Sequence, residues 1–175
     1  MPKHIHEARF DCAMTTLFAA AVLAAARGRW DTQALAERGV PVPSAGCAYA
    51  RTRGTVLRRG RVVEVLRPVG LTLQESLLDP PCCVRLRLRW RLEPLEEGSL
   101  ARLDARYTLN GAATLRARHW RARIEQHCER LLAAMRTHAA RLSQAQDSGS
   151  SGQSTGNVSI TSANRITVNG KPSFR

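Results

Sequence analysis

The run Cys83-Val84-Arg85-Leu86-Arg87-Leu88-Arg89-Trp90-Arg91-Leu92-Glu93 decides the fold class. Val84, Leu86, Leu88, Trp90 and Leu92 alternate with Arg85, Arg87, Arg89 and Arg91. Successive strand residues point to opposite faces, so this is a strand with one buried and one wet face. One-sided burial of that kind belongs to an antiparallel sheet. Downstream, Glu96-Glu97-Gly98 marks a hairpin turn. Leu100 to Leu109 then alternates again, with Leu103, Ala105, Tyr107 and Leu109 on one face and Arg102, Asp104 and Arg106 on the other. Upstream, Leu71 to Leu78 reads as a strand ended by Asp79-Pro80-Pro81. Thr55 to Leu66 contains Arg58-Arg59-Gly60, a turn signal, so it is either a hairpin or one long bent strand. Cys47 to Arg53 and His4 to Phe10 complete the set.

Three stretches read as helices. Ala13 to Arg27 places Leu17, Ala21 and Ala24 or Ala25 on one face, and Gly28 ends it. Thr32 to Arg38 is a short helix capped by Asp31 and stopped by Gly39. Val40-Pro41-Val42-Pro43 is a stiff extended connection. After Asn110-Gly111, a long helix is expected over Ala112 to Leu142, its apolar stripe made by Trp120, Ile124, Cys128, Leu131, Met135 and Leu142. The domain is therefore expected over residues 1–142. Ser, Gln and Gly at 143–156 suit a flexible linker, and the tail at 157–175 alternates as a short hairpin would. The fold class is α+β: a curved antiparallel sheet wrapped on a long C-terminal helix.

Composition narrows the function. The 175 residues suffice for one domain and a tail, and 43% apolar content supports a real core. The formal net charge is +13. Of 27 basic residues, only Lys3 and Lys171 are lysines. Such charge attracts nucleic acid, acidic lipid or acidic proteins. The arginines are spread along the chain, however, as a GC-rich genome would spread them, whereas nucleic-acid binders cluster and interleave them with aromatics. Five cysteines, with no C-x-x-C pair, read as free thiols in a reducing cytosol, hence a cytoplasmic protein. Ala13 to Ala26 looks in part like a secretory signal, but Asp11, His4, His6 and Glu7 make an unusual leader. The run is also too short to span a bilayer.

Certain local runs carry a family resemblance. They are Gly60 to Pro68, Trp90-Arg91-Leu92-Glu93-Pro94, Gly98-Ser99 and the helical stretch His119 to Glu125. With the element order, these resemble the START-like superfamily, also called SRPBCC, over roughly the first 140 residues. The resemblance implies a helix-grip fold that holds an apolar ligand between sheet and last helix. Some members cyclise polyketides, some carry lipids and some interact with ribosomes. The expected function is binding of an apolar small molecule, lipid or polyketide-like, in the manner of a polyketide cyclase. The alternative is an RNA- or ribosome-associated module, using the basic sheet face of Arg85, Arg87, Arg89 and Arg91 with Arg51, Arg53, Arg102 and Arg106.

The expected ligand walls are Leu73, Leu88, Trp90, Tyr107, Trp120 and Ile124. The small residues Ala105, Ala112, Ala113 and Ala117 would leave space, although a filled core is the competing outcome. Glu75 follows Leu71 and Leu73 and precedes Leu77, so alternation puts a carboxylate on the apolar face. Desolvation there would raise its pKa and suit it to acid–base work. Alternatively it pairs with an Arg near the rim. Tyr107 is a second proton-donor candidate. His119, His127 and His138 read as solvated helix-face residues. No metal-ligand spacing, P-loop, dinucleotide fingerprint or G-x-S-x-G occurs, so neither metal nor cofactor is expected, and no catalytic set is defined.

Overall fold

A computed structural model describes residues 2–27, 29–37 and 42–150. Strand β1 (Lys3–Phe10) leads into helices α1 (Met14–Ala26) and α2 (Thr32–Glu37). Five strands follow: β2 (Ala48–Arg53), β3 (Val56–Leu66), β4 (Gly70–Asp79), β5 (Cys82–Pro94) and β6 (Ser99–Gly111). Helix α3 (Ala117–Ser150) closes the described chain. All neighbours in the sheet are antiparallel, in the order β1-β6-β5-β4-β3-β2.

The alternation of β5 is realised fully. Val84, Leu86, Leu88, Trp90 and Leu92 are each 3% exposed or less. Burial of side chains this size stabilises by about 1.5–3 kcal/mol apiece. Arg85, Arg87 and Arg91 are exposed on the outer face, and Arg89 is half-buried. The outer charges are partly balanced: Arg102 meets Glu7 at 3.2 Å and Arg106 meets Asp104 at 3.5 Å.

Helix α1 is apolar nearly all round because it lies inside, with nine of its thirteen residues buried. It packs on α3, and the two helices lie over β1, β5 and β6. Among the described residues the inner face of β2 and β3 receives no comparable helical cover.

Two expectations change and one alternative is decided. Of the hairpin and the long bent strand open to Thr55–Leu66, the structure has the strand: β3 continues through Arg58-Arg59-Gly60 with a register shift between Val62 and Glu64, and the reversal is made by Gly54 at φ +59°. Helix α3 starts at Ala117 rather than Ala112, because residues 112–116 form successive three-residue turns, such as Thr114 N–H to Gly111 carbonyl at 3.1 Å. Helix α3 also continues to Ser150, through the first eight residues of the expected linker. Ala and Gln there are good helix formers, and Gln146 accepts a hydrogen bond from Thr16 at 3.2 Å, which ties the last turns to α1. The expected hairpin at 157–175 and linker residues 151–156 lie outside the described residues.

Candidate functional site

One rank of residues crosses the inner sheet face: Tyr49, Gly60, Glu75, Leu86 and Tyr107, each opposite the next. Gly60 is the device that makes it work. A Cβ there would stand 2.5 Å from the Tyr49 hydroxyl and ring. Without it, Tyr49 lies across β3 and its hydroxyl donates to Glu75 Oε1 at 2.8 Å.

Glu75 is inward, as alternation requires, and 1% exposed. Its partner is Arg29, just past the end of α1 and itself 2% exposed. Arg29 Nε donates to Glu75 Oε1 at 2.7 Å, and Nη2 donates to Oε2 at 3.1 Å. This is the two-pronged pairing that guanidinium geometry favours. Arg29 Nη1 also donates to the Ala25 carbonyl at 2.9 Å, satisfying an end group of α1. Its Nη2 lies 3.2 Å from His127 Nε2 on α3. Arginine has only donors, so the imidazole accepts there and carries its proton on Nδ1. Arg58 Nε lies 3.8 Å from Glu75 Oε1. One guanidinium thus joins α1, β4 and α3, and Glu75 joins it to β2.

Of the two readings of Glu75, the structure has the pairing with an arginine, a buried one rather than one at the rim. Burial alone would raise its pKa, but the Arg29 charge and hydrogen bonds, then Arg58 and the Tyr49 hydroxyl, hold the carboxyl below its ordinary value. Both oxygens are committed to partners, so the group is a charged anchor, not a proton donor poised near neutrality. His127 is likewise not a solvated helix-face residue. Burial, then the Arg29 and Arg58 charges, push it down to about 4.

The His127 shift has a pH signature. The unfolded imidazole takes a proton below about 6.5, whereas the folded one resists until about 4. Between those values the unfolded state binds more protons, so stability falls as pH falls. Glu75 extends the loss below its ordinary value of 4.5, since a depressed carboxyl stabilises only while ionised. His127→Gln keeps an acceptor for Arg29 without the titration. Urea unfolding from pH 7 to pH 5 is expected to show roughly 1–2 kcal/mol of loss in the parent and a flatter profile in the variant. Equal slopes would remove His127 from the account.

Beside this cluster, where the helices leave β2 to β4 uncovered, lies a cavity of about 1140 Å³. Ala24, Leu77, Leu86, Trp120, Ile124 and Leu131 form an apolar wall. Arg51 and Arg53, expected on the basic outer face with Arg85 to Arg91, instead share the inner face with Tyr49 and line this space with Arg58, while Arg123, His127 and Arg130 come from α3. Of the lining arginines, Arg27, Arg51, Arg53, Arg123 and Arg130 are exposed.

Of the expected walls, Trp120 and Ile124 border this space. Leu73, Leu88, Trp90 and Tyr107 do not; each is at most 1% exposed and packed in the core. Alternation assigns a face but not which end of a strand the helices cover. Ala105 and Ala113 are likewise fully packed, so the space comes from helix placement, not from those alanines. Arg29, Tyr49 and Gly60 were not among the expected site residues. An isolated Gly within a strand signals close approach of other groups, and that signal was open to reading at Gly60.

Among the described residues all five cysteines are unpaired, no group of three or more His, Cys, Asp or Glu is placed to hold a metal ion, and no helix is long and apolar enough to cross a membrane.

Fold and site together define an α+β helix-grip domain with an open, arginine-rimmed cavity between sheet and last helix. No protein-family model matches the chain, and no curated protein matches it in sequence. Solved structures do share the fold. Protein MLL2253 from Mesorhizobium loti is 14% identical, with a TM-score of 0.57 over 80% of this chain and 98% of that one. Protein BH1534 from Bacillus halodurans is 14% identical, with a TM-score of 0.52 over 79% and 97%. A conserved protein from Geobacillus kaustophilus is 11% identical, with a TM-score of 0.53 over 79% and 94%. Likeness at these identities speaks to the fold alone.

Proposed function

We propose that this protein is a START-like domain that binds a small molecule with a substantial apolar part, lipid-like or polyketide-like, in the cavity between α3 and the inner face of β2 to β5. The observation that carries this reading is the cavity of about 1140 Å³ with one apolar wall. Small-molecule sites are concave, mostly apolar and have a few convergent polar groups. The Arg29–Glu75–Tyr49 cluster acts as the rigid floor that keeps α1, β2 and α3 at the spacing the ligand needs.

The test uses Nile red, a neutral apolar dye, with the full chain. Saturable fluorescence enhancement is expected. Ala134 on α3 borders the cavity and is half-buried. Ala134→Trp fills that space and is expected to weaken dye binding at least about tenfold, near 1.4 kcal/mol. Absence of saturable binding, or binding indifferent to a folded Ala134→Trp protein, would overturn the reading.

A further inference from the structure

We propose that the ligand of this cavity carries an anionic head, a carboxylate, phosphate or sulfate, on its apolar body, and that the arginines of β2 and β3 receive that head. This inference rests on the reading of the cavity as a ligand site and names the chemistry that fits it.

Among the described residues seven arginines border the cavity and no Asp or Glu does. Among the described residues Glu75 is the one carboxylate that pairs with any of them, holding Arg29 and Arg58. Arg27, Arg51, Arg53 and Arg130 have no carboxylate partner among the described residues. Arg123 is seated on the Trp120 ring, 4.8 Å from its centroid.

The placement of Arg51 and Arg58 is more telling than their number. They are directly opposite each other in the β2–β3 register, on the same inner face as Tyr49 and Glu75. Arg53 shares that face two residues further along β2. Like charges directly opposite destabilise an antiparallel pair, and inner sheet faces are ordinarily apolar. An anion between the two guanidiniums reverses the sign of that interaction. Guanidinium forks match the oxygens of carboxylate and phosphate groups in two-pronged fashion. The apolar wall of Leu77, Leu86 and Ile124 then takes the body of the same molecule. The chain's own residues beyond 150 include no Asp or Glu, so they offer no side-chain anion for this place.

The experiment is calorimetric titration of the full chain with dodecyl phosphate, dodecanoate, dodecanol and inorganic phosphate, each below its micelle concentration where it has one. A single-stranded oligonucleotide serves as competitor. Dodecyl phosphate and dodecanoate are expected to bind at least about tenfold more tightly than dodecanol. That preference is expected to shrink with added salt, because exposed charges are screened. It is expected to vanish in the double variant Arg51→Gln, Arg53→Gln. Equal binding of alcohol and anions, with Nile red still bound, overturns this inference and leaves the ligand site standing. A preference that survives in the double variant overturns the assignment to β2. Inorganic phosphate binding as tightly as dodecyl phosphate, or the oligonucleotide displacing it, overturns the amphiphile. Failure of every probe, Nile red included, removes the ligand site itself.

Discussion

Arg29→Met lowers stability by about 3–5 kcal/mol, the amount expected when one partner of a buried ion pair is removed and the other is stranded. The stranded group is Glu75, fully inside the domain with a hydroxyl from Tyr49 and a distant Arg58 as its remaining company. Without Arg29 the burial that raises its pKa is no longer outweighed. A raised carboxyl destabilises while ionised, so the deficit is largest near neutral pH and shrinks as the solution is acidified through the raised value. The double variant Arg29→Met, Glu75→Leu is expected to recover much of the loss, since apolar replacement of a whole buried pair is often neutral. Recovery is incomplete because the Tyr49 hydroxyl loses its acceptor, at about 1–3 kcal/mol. Urea midpoints of the single and double variants against the parent measure this. An Arg29→Met protein with the parent's midpoint would show that the pair contributes nothing.

Trp90→Ala is expected to cost a similar amount, about 3–5 kcal/mol, by loss of buried area and the void left behind. The informative partner is Trp90→Phe. Trp90 is 1% exposed, and no group among the described residues accepts from its indole N–H. Phe therefore sacrifices volume but no hydrogen bond, and about 1 kcal/mol is expected. Because Trp90 does not border the cavity, Nile red binding by the Phe variant is expected to match the parent. A folded Trp90→Phe protein that no longer binds the dye would place the ligand in the core instead.

The alternating residues of β5 and β6 made the sheet, its faces and its antiparallel pairing legible from the sequence, and the stripe from Trp120 to Met135 did the same for α3. These are periodic signals, repeated often enough to outweigh local exceptions. Glu75 was also legible as a carboxylate on the wrong face. Its partner was not. A buried carboxylate requires a cation, but among 25 arginines nothing local marks Arg29, 46 residues away. Tyr49 and Gly60 were hidden for another reason: Arg58-Arg59-Gly60 carries the composition of a turn, and only the register of β2 on β3 shows that the Gly clears a path for a ring. The cavity itself follows from which strands the helices leave bare, and that is a property of helix packing, not of any one segment.

The position of β2 has a consequence for solubility. Among the described residues it is the last strand of the sheet, six residues long, with its outer edge unpaired, and it borders the cavity. Free edges invite pairing with the edge of another molecule, and charge with short length is the usual defence. Arg51 and Arg53 supply that charge. The same guanidiniums that would greet an anionic guest also keep two copies from zipping together, so neutralising them is expected to shift the protein towards edge-to-edge aggregation.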